Sequence, residues 1–276
     1  MNSLRISVLF LLGCCFSADA QCIPLPSFTI YGEVQNFRGV AYSSGDDAVL
    51  IAEIDGEEVD RCSVVSGIYP GLNYRLEIPM ATSDREGYAQ TGDAVELILD
   101  YADDRHAVAS ESGDFPTVGQ PGGAVRIQIA VGSDIDDDGF VDEYEELLSP
   151  YYESAGKSGA IEDISPNDDF DHDGVSNYDE YIAGTIPVDG SDLLLIRDFY
   201  LVGSNTFAIA FMTAPGRSYT LPKTGQLSSN QWEYASFSQS TNSEPSKRFL
   251  YAEADQYMTL FIQQETNSAM FRLEVQ

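Results

Sequence analysis

Residues 134–145 read DIDDDGFVDEYE, and residues 169–180 read DFDHDGVSNYDE. Both follow D-x-D-x-D-G-x5-E, a loop with carboxylates at positions 1, 3 and 5, glycine at 6 and glutamate at 12. The spacing suits Ca2+, which takes roughly six to eight oxygen ligands, because alternate short carboxylates on a tightly curled loop point to one centre. In the first copy Asp134, Asp136 and Asp138 take the first three positions and Gly139 makes the turn. The Phe140 carbonyl supplies position 7, Asp142 stands at 9, often acting through water, and Glu145 closes the loop with both oxygens. The second copy repeats this with Asp169, Asp171, Asp173, Gly174, the carbonyl of Val175, Asn177 and Glu180.

A solvated acidic linker would share the charge of this stretch but not its order. Residues 132–192 hold 19 Asp and Glu against one Lys, a local charge of −18. Such a segment repels itself without a counter-ion, and unordered acid would not place glycine at position 6 and glutamate at 12 twice.

Working outward, residues 28–131 alternate short strands with turn residues. Residues 28–35 (FTIYGEVQ), 48–54, 57–65, 74–78, 94–100 and 124–130 read as strands, with Asp55-Gly56 as a tight hairpin turn. Val49, Ile51, Leu76, Ile78, Val95, Leu97, Ile127 and Ile129 read as core. The polar stretch 103–123, which holds His106, reads as a loop. Each acidic loop leads into a short helix, 142–148 stopped by Ser149-Pro150 and 177–183 stopped by Gly184. Tyr144, Leu147, Tyr151, Tyr152, Ile161, Ile164, Tyr178 and Tyr181 are set to pack on those helices. Beyond residue 193 the strands resume at 194–202, 206–213, 217–221, 232–238, 258–263 and 270–275, with Trp232 and Phe271 as core. The fold class is therefore mainly β: two small antiparallel β-sandwich domains, 21–131 and 193–276, joined by a calcium-binding segment, 132–192, with two short helices.

The chain ends constrain the compartment. Residues 1–20 carry one early positive charge, an apolar run from 6 to 16 and the small residues Ala18-Asp19-Ala20, the form of a cleavable export signal. A lipoprotein reading through Cys14 competes, but Leu12 fits poorly beside Gly13. After cleavage Cys22 and Cys62 remain, and one disulfide between them would contribute about 2 to 4 kcal/mol. A paired thiolate metal site is the weaker alternative, since neither has a histidine near it in sequence. The net charge of −31 argues against nucleic acid as a partner, and no later stretch is long and apolar enough for a membrane span.

The segment "DIDDDGFVDEYEEL", with "DFDHDGVSNYDEYIAGTIPVDGSD", resembles the thrombospondin type 3-like and dockerin-like calcium repeats of bacterial exported modular proteins. "APGRSYTL", "QWEY" and "AMFRLEV" are similar to the small β domain often found downstream, and "FTIYGEV" with "NYRLEIPM" to secreted transthyretin-type sandwich modules. The resemblance implies a secreted, cell-surface or periplasmic module that binds calcium through the residues above and is not an enzyme. Loop starts 35 residues apart are wider than a near-tandem dockerin repeat. The expected role is structural or adhesive, with Ca2+ stiffening the joint between two β domains. The alternative is a module that binds an extracellular glycan or protein. Met is too sparse for a sensor groove. His172 at position 4 of its loop and His106 without a surrounding motif give no catalytic constellation.

Overall fold

The computed structural model describes residues 24–276, apart from 66–68, 84–85, 111–114, 116, 204, 226–230 and 264–268. The expected export signal, Cys14 and Cys22 lie outside the described residues. The protein is mainly β, and the two α-helices among the described residues begin where the acidic loops end.

The first β unit comprises β1 Pro24–Gly32, β2 Val34–Gln35, β3 Val49–Ile54, β4 Glu57–Ser63, β5 Tyr74–Ala81, β6 Glu96–Tyr101, β7 Asp104–Ser110, β8 Ala124–Arg126 and β9 Ile129–Val131. They form two sheets, β5-β1-β8 and β2-β9-β7-β6-β3-β4. Between them lies one apolar core around Ile30, Leu50, Leu76, Ile78, Leu97 and Leu99. In β3 Leu50 and Ala52 join this core, Ile51 is buried as expected but outside it, and Val49 is only half-buried. Asp55 and Gly56, at φ 51° and 80°, make the two-residue turn that pairs Ile54 with Glu57.

Two features depart from the sequence reading. The unit is not wholly antiparallel, because β1 pairs β8 and β2 pairs β9 in parallel. The chain leaves one sheet for the other after β1 and again after β8, and the two crossings run side by side. Ile127 N donates to the Tyr31 carbonyl at 2.9 Å and Ile129 N to the Glu33 carbonyl at 2.9 Å. Contact there is so close that a Cβ on Gly32 would lie 1.8 Å from the Ile127 carbonyl oxygen. The second departure is β7, which occupies part of the stretch read as a loop. Ala102 and Asp103, at φ 55° and 65°, form a hairpin turn that the sequence hid because neither is glycine. Small apolar Ala107, Val108 and Ala109 also blunt the alternation of the strand.

The middle segment holds α1 Asp142–Ser154, a 3-10 turn Ile161–Asp163 and α2 Asn177–Ala183. α1 does not stop at Ser149-Pro150 but runs through Pro150. A proline inside a helix costs about 3 kcal/mol. Here the buried stripe Tyr144, Leu148 and Tyr152, spaced four residues apart, outweighs it. Tyr152 is buried, accepts from Asn177 Nδ2 at 2.8 Å and lies 4.4 Å from the Phe170 ring. α2 ends as expected, on Gly184 in the left-handed region at φ 77°. Tyr144, Tyr152, Ile164 and Tyr181 share a core with Phe140 and Val141, and Phe37, Ala109 and Ala130 of the first unit pack into it. Tyr151 and Leu147, expected in this packing, are exposed.

The second β unit has β10 Asp198–Val202, β11 Thr206–Thr213, β12 Ser218–Thr220, β13 Pro222–Thr224, β14 Glu233–Tyr234, β15 Phe249–Tyr251, β16 Gln256–Gln263, β17 Met270–Phe271 and β18 Glu274–Val275. Its three small sheets are β10-β11-β16, β15-β12-β18 and β14-β13-β17. Ile209, Phe211, Tyr219, Leu221, Phe237 and Leu260 fill the centre, with Phe271 packed against it. Trp232 stays outside this core. It is half-buried, with the Arg272 guanidinium 4.4 Å from its ring, so a cation–π contact covers the indole instead.

Candidate metal centre

The two acidic loops fold on the same plan. Asp134 accepts from Asp138 N at 3.2 Å and Gly139 N at 3.1 Å, and Asp138 accepts from Phe140 N at 3.0 Å. In the second loop Asp169 accepts from Gly174 N at 3.0 Å, Asp171 from Asp173 N at 3.3 Å and Asp173 from Val175 N at 2.8 Å. Each loop turns left-handed at positions 4 and 6: Asp137 and Gly139 at φ 56° and 98°, His172 and Gly174 at φ 65° and 96°. His172 is thereby turned outward and is exposed.

This curl gathers one carboxylate oxygen from each of Asp134, Asp136 and Asp138 within 4.8 Å of one another, and likewise from Asp169, Asp171 and Asp173. The closing glutamates come from the first turns of α1 and α2, and both Glu145 and Glu180 are 0% exposed. Among the described residues, eight buried side-chain oxygens have no hydrogen-bond partner, and seven belong to these loops: one each from Asp136, Asp169, Asp171, Asp173 and Glu180, and both of Glu145. Burying an ionised oxygen without a partner is costly, so this concentration makes each loop a candidate cation site.

The electrostatics agree. Burial, reinforced by Asp138 and Asp136, pushes Glu145 up to about 9, and burial with Asp171 and Asp173 pushes Glu180 up to about 7. Burial takes Asp138 up to about 6 and also raises Asp134 and Asp171. Each loop holds more negative charge than its protein surroundings neutralise.

The residues at position 9, expected to act on the metal through water, also make structural hydrogen bonds. Asp142 spends its two oxygens on Ser133 Oγ at 2.7 Å and Ile135 N at 3.0 Å, pinning the start of the first loop to α1. Asn177 accepts from Phe170 N at 3.4 Å and donates to Tyr152 Oη and, at 3.1 Å, the Ser165 carbonyl. Both tie their loop to its surroundings. Phe140 and Val175 occupy position 7, and the Phe140 ring is buried against Tyr144 at 5.2 Å and Tyr181 at 5.6 Å. Cys62 is a free thiol among the described residues, pushed up to about 11 by burial, while its expected partner Cys22 lies outside them.

No protein-family model, curated protein or solved structure matches the chain.

Sequence reading missed Arg217, the residue that closes the second β unit onto this centre. It is 3% exposed and donates to the carbonyls of Tyr181 at 2.6 Å, Ile182 at 2.9 Å and Arg38 at 3.1 Å. Two of these belong to the last turn of α2, whose carbonyls have no partner within the helix and carry its negative dipole end. The available signal was an arginine opening a strand just after Pro215-Gly216. A turn residue followed by a cation in a sheet pattern has no local use for that charge.

Proposed function

We propose that the chain is a calcium-dependent structural module, in which two Ca2+ ions set the joint between two β units. The ligands are Asp134, Asp136, Asp138 and Glu145 in the first loop, and Asp169, Asp171, Asp173 and Glu180 in the second, with the carbonyls of Phe140 and Val175 at position 7. The observation that carries this reading is the pair of fully buried glutamates, three of whose four oxygens are unpartnered, beside the aspartate triads. Bound calcium would supply the positive charge that offsets their repulsion.

The joint follows from where these glutamates stand. Glu145 neighbours Tyr144 and Glu180 neighbours Tyr181, and the two tyrosine rings meet edge to face at 4.8 Å. Fixing both glutamates fixes both helices, and so fixes the carbonyls that Arg217 holds. The role is mechanical and not enzymatic, and an affinity of about 10⁻⁴ to 10⁻³ M would suit an exported protein in a calcium-rich medium.

Calorimetric melting and small-angle scattering in millimolar calcium and in chelator test the proposal. A higher melting temperature and a more compact, less variable envelope with calcium are expected. Identical melting curves in the two conditions would overturn it.

A further inference from the structure

Away from the joint the two β units face each other across a second gap. A cleft of about 900 Å³ opens there, with Tyr69 and Pro70 of the first unit on one side and residues of β12, β14 and β15 on the other. The first wall is held in place from behind. Arg126 donates to the Gly71 carbonyl at 3.1 Å, and Gln276 of the second unit lies so near that its Oε1 is 3.1 Å from where a Cβ on Gly71 would stand.

The lining is unlike the rest of the surface. Tyr69 is 64% exposed and Tyr234 53% exposed, so two flat rings with polar tips stand in solvent at the cleft. The acidity is also relieved there. The cleft holds Lys247 and Arg248 against Glu253, in a chain with 14 Lys and Arg against 45 Asp and Glu. Lys247 is held by a 2.8 Å hydrogen bond from its Nζ to Gln239 Oε1, another lining residue. Thr220, 4% exposed, carries the one unpartnered buried side-chain oxygen outside the acidic loops among the described residues, and it too belongs to the lining.

Aromatic faces beside fixed donors suit a ligand that is apolar on its ring faces and rich in hydroxyls at its edge, which is the chemistry of a sugar. The Lys-Arg pair adds a requirement for negative charge. Beyond a Debye length of about 8 Å the acidity of the rest of the chain is screened, so the local cations decide. We infer that the cleft between the β units binds an oligosaccharide bearing carboxylates, with Tyr69 and Tyr234 as stacking platforms and Lys247 with Arg248 reading its acid groups.

The test is an array of uronate-bearing and neutral oligosaccharides, probed with the full calcium-loaded chain. Binding to the uronate-bearing set alone is expected. The Tyr234→Ala variant should weaken it by about tenfold, and Lys247→Ala with Arg248→Ala should abolish it. All three side chains are exposed, so the variants should melt as the parent does, and the loss then reads binding and not folding. A blank array, equal binding to neutral sugars, or full binding by the Lys247→Ala, Arg248→Ala variant overturns the inference. Calcium is saturating throughout and only cleft residues change. Failure here leaves the calcium reading intact, and a calcium-independent melting curve would leave this one intact.

Discussion

Arg217 in the second β unit donates to the carbonyl of Tyr181 at 2.6 Å, one residue beyond Glu180, the closing glutamate of the second acidic loop. A single backbone step thus separates a carboxylate of the proposed metal site from the contact that grips the second β unit. The same guanidinium reaches Arg38 in the first unit, so one side chain touches all three parts of the molecule. This arrangement converts local loop geometry into the relative placement of the domains.

Arg217→Ala should therefore cost more than an ordinary core substitution. It strands the carbonyls of Tyr181, Ile182 and Arg38, and each buried group left without a partner costs about 1 to 3 kcal/mol. Calorimetry of the calcium-loaded variant should show the single melting transition split in two, as the β units lose their coupling. Arg217→Lys should behave nearly as badly, because an ammonium cannot reproduce the planar fork. A single unshifted transition in Arg217→Ala would dismiss the residue as a keystone.

Gly216 gives an independent check on the same contact. Its φ is 73°, and a Cβ would stand 2.6 Å from the Ala41 amide nitrogen in the first unit. Gly216→Ala should force the units apart and lower stability by about 1 to 3 kcal/mol, read as a fall in denaturant midpoint. Gly225→Ala is the control, since among the described residues nothing lies within 4 Å of its would-be Cβ and its φ is not left-handed.

The acidic loops were legible because their chemistry is periodic: Asp at alternate positions, Gly at 6 and Glu at 12 are enough to place the triads and the closing glutamates. The Asp55-Gly56 hairpin was legible for a similar reason, a turn that needs two positive φ values and has the residues to adopt them. What escaped is what depends on distant partners. Nothing local in Ala102-Asp103 announces a hairpin. Pro150 looks like a helix stop until Tyr152 is seen buried against Phe170 and Asn177. Asp142 and Asn177 fit the ligand spacing, but nothing local shows that their side chains also pin the loops to Ser133, Ile135, Tyr152 and Ser165. Arg217 matters only because the last turn of α2 lies in front of it.

Replacing the closing glutamates separates affinity from folding. Glu145→Gln and Glu180→Gln keep the shape of the side chain while removing the charge and one acceptor oxygen. Each should weaken calcium binding by at least about tenfold in titration calorimetry while leaving strand content by circular dichroism unchanged. In chelator near neutral pH Glu145→Gln should melt no lower than the parent, because burial already holds that carboxyl protonated. Unchanged calcium affinity in both variants would remove these glutamates from the ligand set.

Proton release supplies the last prediction. In the calcium-free fold Glu180 titrates near 7 and Glu145 near 9, both above the ordinary 4.5. The calcium-free fold therefore binds more protons than the unfolded chain over that range. The stability tied to these groups is complete below about 4.5, and it is lost as pH rises through about 7 for Glu180 and about 9 for Glu145. Melting temperature in chelator should fall as pH increases from 5 to 8, and calcium should remove most of that decline by favouring the ionised carboxylates. Binding near pH 7 should accordingly release about one to two protons, seen as a dependence of the calorimetric enthalpy on the ionisation enthalpy of the buffer. An enthalpy identical in PIPES and Tris would mean that the glutamates are already ionised before the metal arrives.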